Sequence, residues 1–296
     1  MARAFADLDV PSVLVPVFRL AELEADLAAL KAEKLNGFQT WLVDHRFNFS
    51  LPETGFPIRS VLLMALPHPL YSRVTLTDGR LKVGCLGLVS SDFDSARAAA
   101  EAAATKAGAR LAETDALPLK RLAVRSGLAV YGRNNVTYIE GHGSNFSYLA
   151  YYTDVACEED GWTAVRQGAA CGTCTACLKA CPTGAILADR FLIDNERCLS
   201  CMNETGTPFP DWVPSSVHHT LYDCLKCQLA CPMNRDQLTE IGRPVDFDAA
   251  ETALLMAGTR YAEYPESMKK KAAYLGLDQW PDGIAKNVRT LFDRDR

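Results

Sequence analysis

The sequence predicts an α+β protein: an N-terminal mixed α/β sandwich layer over residues 1–165, a cysteine-bearing module over 166–240 and a helical tail over 241–296. Three observations carry that expectation. Short apolar runs alternate with helix-patterned segments up to about residue 165. Nine of the eleven cysteines lie between Cys171 and Cys231. The remainder is charged and helical in pattern. At 48% hydrophobic and 23% charged residues, the composition is that of a folded globular chain. A net charge of −5 gives no general attraction to nucleic acid or to an anionic membrane. The apolar run Val61 to Leu66 is interrupted at Pro67 and Pro69, well short of the roughly 18 residues a spanning helix needs. Met1 to Val10 has no signal-peptide core, so a cytoplasmic protein without a membrane partner is expected.

The elements follow in order. Pro11 to Phe18 is a Val-rich run that predicts a strand. Leu20, Leu23, Leu27 and Leu30 keep helical spacing within Leu20 to Leu35. Arg59 to Leu66 is continuously apolar, as a buried strand is. Thr77-Asp78-Gly79 is a turn signal that predicts a hairpin into Leu81 to Val89. Ser91 to Ala109 is an Ala-rich helix closed by Gly108, and Pro118 to Ser126 is a second helix with Gly127 past its end. Val136 to Ile139 and Phe146 to Tyr152 are strands around the turn Gly141-His142-Gly143.

The cysteines form two groups. Cys171, Cys174, Cys177 and Cys181, followed by Pro182, make C-x2-C-x2-C-x3-C-P. That run is the bacterial two-cluster ferredoxin pattern, whose fourth cysteine ligates the other cluster. Two-residue gaps wrap the chain around one corner of a cubane. The x3 step begins a helix that points the fourth thiolate away, and Pro182 stops that helix continuing regularly. Cys224, Cys227 and Cys231 with Pro232 repeat the pattern with one cysteine missing, and Cys198 or Cys201 upstream supplies it. Reciprocal exchange gives one cluster Cys171, Cys174, Cys177 and Cys231, and the other Cys181, Cys224, Cys227 and one of those two. The expected module is therefore a ferredoxin-type double [4Fe–4S] module. Zinc is the alternative, but zinc ribbons use separated C-x2-C pairs. Cys85 and Cys157 stand apart and are expected to be small buried hydrophobes.

On these residues the chain resembles epoxyqueuosine reductases, the 4Fe–4S double-cluster family of cobalamin-dependent reductases and their relatives. The carrying motifs are Cys181-Pro-Thr-Gly-Ala-Ile186, Arg197-Cys198-Leu-Ser200, and Cys224 to Asn234 with Gln228 after Cys227. The resemblance favours Cys198 over Cys201 as the eighth ligand. Upstream, Arg59-Ser-Val-Leu-Leu63, Thr114-Asp115-Ala-Leu-Pro118, Ala123 to Leu128, Gly132-Arg133-Asn134 and Thr153-Asp154 are similar to further family stretches, so the likeness covers about residues 59 to 235. It implies a cobalamin against the N-terminal domain, with Arg125, Tyr131, Gly132, Arg133 and Asn134 as candidate cofactor contacts. It also implies an aspartate proton donor, here Asp115, best served by an apolar pocket that raises its pKa. Read without the family, Asp115 is first of all an N-cap of the next helix, and the resemblance is what brings the acid role level with it.

The chain departs from the family at Ala129 and Val130, where the reductases have Gly and Trp. It also lacks the glutamate of the strand after Gly143 and most of the C-terminal helical domain used for tRNA, which argues against epoxyqueuosine as substrate and tRNA as partner. A small-molecule or nucleoside substrate and an electron donor such as a flavodoxin or ferredoxin are the expected partners. Lys120, Arg121, Arg125 and Arg133, and separately Lys269 to Lys271, form basic clusters that read as solvated helix faces or phosphate sites. Two functions compete: an oxidoreductase whose clusters feed a corrinoid or a substrate directly, and an electron carrier or corrinoid-reactivating reductase. The long N-terminal layer without a cysteine motif favours the enzyme.

Overall fold

The computed structural model describes residues 5–239 and 241–296. Its strands are β1 (Ser12–Pro16), β2 (Ser60–Pro67), β3 (Tyr71–Thr77), β4 (Lys82–Leu88), β5 (Leu111–Glu113), β6 (Val130–Tyr131), β7 (Thr137–Tyr138), β8 (Phe146–Thr153) and β9 (Val245–Asp246). Its α-helices are α1 (Leu20–Leu30), α2 (Gly37–Trp41), α3 (Phe93–Ala107), α4 (Leu119–Arg125), α5 (Ala176–Ala180), α6 (Leu199–Asn203), α7 (Lys226–Leu229), α8 (Ala249–Ala257), α9 (Glu266–Tyr274) and α10 (Pro281–Asp295). The mixture bears out the α+β expectation. Contacts divide the chain into two compact units, one of Met1–Pro67 with Ser91–Thr173 and one of His68–Ser90 with Cys174–Arg296.

The first unit is built on a sheet of order β1-β2-β8-β5 with every pairing antiparallel. β2 is its centre, and Ser60 to Leu66 are all buried. A strand flanked on both edges and covered on both faces requires the continuous apolar run seen in the sequence. Leu62, Met64 and Leu66 pack with Leu149 and Tyr151 of β8 and with Ala100 and Ala104 of α3. Alanine on that helix face lets it sit close to the sheet. Asp92 caps α3 by accepting from Ser95 N–H at 3.0 Å, and Gly108 ends it at φ 65°, the left-handed position that favours glycine.

The second unit takes in the hairpin β3–β4, which the sequence pattern places in an N-terminal domain of residues 1–165. The physical reason for the difference is the location of its apolar partners. Val74, Leu76, Val83 and Cys85 share a core with Val245, Leu255, Met268, Leu275, Ile284, Val288, Leu291 and Phe292. β9 extends the hairpin by parallel pairing of Val74 with Val245. Burying each such side chain contributes roughly 1.5–3 kcal/mol, so the segment after residue 241 is half of a core and not an appendage. Within it α10 buries Gly283, Ile284, Asn287, Val288, Leu291 and Phe292 along one face. Among the described residues no helix is long and apolar enough to cross a membrane.

Candidate iron–sulfur centre

In the second unit the short helices that carry Cys177 and Cys227, α5 and α7, pack against each other. The two sequence-distant cysteine groups are thereby side by side. Cys181 and Cys198 both lie near enough to Cys224 to raise its thiol pKa electrostatically, second to burial, which carries it up to about 11. The loop of Cys198 is tied to the loop of Cys181 by Arg197 Nε donating to Thr183 O at 3.0 Å and by Asp194 N–H donating to Ala185 O at 2.8 Å. Ala185 N–H in turn points at Cys181 Sγ, 3.3 Å away. Backbone donors of this kind are what an anionic sulfur accepts.

Cys198 and Cys201 are hydrogen-bonded to each other. As acceptor from the Cys201 thiol and from the Ser200 and Cys201 N–H groups, Cys198 is held below the usual thiol range, while Cys201 is pushed up. Cys198 is thus the more thiolate-like of the two. Among the described residues no three His, Cys, Asp or Glu side chains converge on a single ion position. A cubane spreads its irons over four corners, so its thiolates need not share one point.

The scaffold beneath these cysteines carries no sequence motif. Asp223, at φ 58°, holds a left-handed turn directly before Cys224, and its buried carboxyl, raised by desolvation, accepts from Ser200 Oγ at 2.6 Å. Thr220 Oγ donates to Asp223 O at 2.9 Å. Asn287 of α10, 1% exposed, donates to both Asn203 O and Leu221 O at 2.8 Å. One side chain therefore joins the end of α6 to the approach to Cys224. Leu86 of β4 bridges Thr220 in parallel, which pins that approach to the hairpin. His218 is buried against Phe209, and burial with nearby Lys286 pulls its pKa down to about 4. His219 Nε2 is buried without a hydrogen-bond partner.

In the first unit an analogous bridge joins Tyr131 of β6 to Gln167, in parallel. Gln167 precedes Cys171 by the same four residues by which Thr220 precedes Cys224. Arg133 Nη2 donates to Cys171 O at 2.8 Å and Gly172 O at 3.0 Å. Asn134 is buried and donates to Tyr138 Oη at 2.9 Å. Gly132 is required by space: a Cβ there would lie 2.5 Å from Asn134 Oδ1 and 2.6 Å from the Tyr138 ring. Tyr131 is 5% exposed, its hydroxyl pushed up to about 12 by burial. Arg125 ion-pairs with Glu22 at 3.0 Å and Asp26 at 3.2 Å, donates to Thr163 O at 2.8 Å and lies over the Trp162 ring. The five candidate cofactor contacts thus share one neighbourhood and bond mostly within the protein, while Arg133 Nε is buried without a hydrogen-bond partner.

Asp115 lies in the loop before α4, and its side chain is 91% exposed. Arg46 donates to its carboxylate at 3.3 Å and to its carbonyl at 3.1 Å. It does not cap α4, whose N-cap is Pro118 without a side-chain bond. The apolar pocket expected around it is absent from its surroundings. Of the outlying cysteines, Cys85 is buried, with desolvation raising its thiol to about 12. Cys157 is only half-buried and donates to Leu14 O and Glu159 O.

Residues 170–234 match the 4Fe–4S double cluster binding domain. Together with the fold, this defines the class: an α+β iron–sulfur protein with a double-cluster module in its C-terminal region. The chain is 34% identical over 143 residues to epoxyqueuosine reductase of Burkholderia pseudomallei, covering 46% of this chain and 34% of that protein. It is 29% identical over 231 residues to that of Xanthomonas campestris pv. campestris, covering 73% and 64%. The chain spans about a third of the length of several of the curated relatives it matches. Among solved structures, epoxyqueuosine reductase from Bacillus subtilis with its catalytic loop swung out of the active site aligns with TM-score 0.63 at 18% identity, over 96% of this chain and 77% of that one. An epoxyqueuosine reductase with an epoxyqueuosine-modified tRNA-Tyr stem loop aligns with TM-score 0.62 at 21% identity, over 96% and 76%. The chain is an iron–sulfur protein with a double-cluster module, similar over part of its length to epoxyqueuosine reductases. The expectation against tRNA finds no support in these likenesses.

Proposed function

We propose that the chain is a reductase of the epoxyqueuosine reductase type, with two [4Fe–4S] clusters delivering electrons to a substrate or an accessory cofactor at the first unit. The observation that carries this reading is the side-by-side packing of α5 and α7, with Cys181 and Cys198 beside Cys224. One cluster takes Cys171, Cys174, Cys177 and Cys231, and the other takes Cys181, Cys198, Cys224 and Cys227. When bound, such clusters supply single electrons at low potential. The chain's own residues hold the thiolates in place through Arg197, Asn287 and the two parallel bridges.

The substrate class is an epoxide on a tRNA nucleoside. Its deoxygenation consumes two electrons and two protons and releases the oxygen as water. Asp115, exposed and latched to Arg46, is the proposed proton donor, and opening of that latch would free its carboxyl to meet the substrate. An electron donor such as a flavodoxin or ferredoxin refills the clusters in a cytoplasmic setting. The exposure of Asp115 favours a second reading, in which the protein passes electrons to a separate corrinoid enzyme and performs no proton transfer itself.

Anaerobic reconstitution separates these. The first reading expects about eight irons per chain and conversion of an epoxyqueuosine-bearing tRNA stem loop under a chemical reductant, with or without added cobalamin. Full iron content without conversion under either condition supports the carrier reading. Zinc without iron sinks both.

A further inference from the structure

The hairpin β6–β7 lies along the segment that delivers Cys171, a cysteine whose role at Arg133 rests on its being a cluster ligand. Tyr131 N–H donates to Arg166 O at 2.9 Å, and Gly168 N–H returns a bond to Tyr131 O at 2.8 Å. Immediately beyond, Arg133 Nη2 reaches two successive carbonyls, those of Cys171 and Gly172. The turn that places it is specified on either side. Gly132 admits no side chain, Asn134 is bonded to Tyr138, and Asn135 takes φ 61° while its N–H closes onto Gly132 O at 3.0 Å. Arg133 Nε is buried and has no hydrogen-bond partner among the described residues. A cationic side chain is therefore fixed by its neighbours against the first cluster-binding turn, with one donor still unused.

We propose that Arg133 is the positioning and potential-setting residue of the first cluster, a role that presupposes the ligation of that cluster by Cys171. It fixes the peptide groups of Cys171 and Gly172, and its charge favours the reduced state. The physical basis is simple. Reduction adds one negative charge to an already anionic group, and a guanidinium held nearby in a partly desolvated site stabilises the more negative form. Arginine suits this place better than lysine because it stays charged and presents several donors in a planar fork. One carbonyl pair occupies Nη2, and Nε–H remains for an acceptor that the polypeptide does not provide.

Anaerobic redox titration followed by electron paramagnetic resonance tests this on the full chain. Cys171→Ser first identifies which signal belongs to the first cluster. In Arg133→Met that signal should need a lower potential. The reduced-to-oxidised ratio at a fixed setting should fall at least tenfold, about 59 mV for one electron, while the second signal stays put. Arg133→Lys, which keeps the charge but not the fork, should shift less. If Arg133→Met loses the first cluster's iron, retention in Arg133→Lys with a smaller shift leads to the same conclusion. Unchanged midpoint and line shape in both variants overturn the proposal. Two signals that both survive Cys171→Ser would overturn the ligand assignment instead, so the two failures are distinguishable.

Discussion

Asn287→Ala removes a side chain that lies outside the cysteine motifs yet joins both of their supports. Its Nδ2 donates at 2.8 Å to Asn203 O and to Leu221 O in a site where it is 1% exposed. Leaving a buried carbonyl unpaired costs roughly 1–3 kcal/mol, so two cost about 2–6 kcal/mol. The substitution also deletes Asn287 Oδ1, itself buried without a partner, and that returns about 1–3 kcal/mol by the same reasoning. The balance is a loss of about 2 kcal/mol. For a domain of about 150–250 residues this lowers Tm by about 4–8 °C. Calorimetry on the anaerobic protein measures it, and iron analysis on the same sample should show the cluster assigned to Cys198 and Cys224 depleted before the other. A Tm within about 1 °C of the unmodified protein, with full iron, would refute the idea that α10 holds the cluster segments through this one amide.

Other perturbations have equally defined outcomes. Gly283→Ala would set a Cβ 2.6 Å from Asn203 O and 2.9 Å from the Glu204 carbonyl carbon. Despite alanine's better helix propensity, of about 1 kcal/mol, denaturant unfolding should show a net loss of about 1–2 kcal/mol. Asp115→Asn breaks an exposed pair and should change stability by less than about 1 kcal/mol, yet lower turnover at least tenfold if Asp115 delivers the proton. Unchanged turnover removes it from the mechanism. Burial of His218, its pKa pulled down to about 4, means that the unfolded chain takes up a proton below about pH 6.5 that the folded chain refuses. Stability supplied by the neutral ring is complete above pH 6.5 and is lost as the pH falls toward 4. His218→Gln should flatten the decline of Tm across that interval, and an identical decline would show that other groups cause it. Finally, Cys201→Ser should retain both clusters where Cys198→Ser loses one, as read by iron content.

Much of the fold was legible because its signals are local. β2 and β8 appear as apolar runs, α3 as an Ala-rich stretch closed by Gly108, and the β3–β4 hairpin through Thr77-Asp78-Gly79. The ownership of that hairpin was not legible, since its apolar faces are satisfied by residues some 170 to 210 positions later and nothing in the hairpin names its partner. The short strands β5, β6 and β9 have no period to detect. Cluster cysteines declare themselves by spacing, whereas Asn287, Asp223 and the Arg197–Thr183 bond depend on tertiary neighbours and carry no motif. Arg125 illustrates the converse: its place in a basic cluster suggests a ligand, and the structure surrounds it with Glu22, Asp26 and Trp162. Asp115 reads in the sequence as either a buried acid or a helix cap, and its exposure beside Arg46 matches neither.

The interleaving of the two units has a consequence for how the molecule is made. A ribosome releases β3 and β4 long before β9, α8 and α10 exist, so the hairpin emerges as a bare two-stranded ribbon, marginal by itself in water. Its apolar face must wait for nearly the whole remaining chain, while the sheet around β2 can close once β8 has been synthesised. On the proposed ligand set, metal assembly at the second cysteine group would follow completion of the polypeptide, and stalled or nicked chains would present a sticky, cluster-free intermediate to chaperones and proteases.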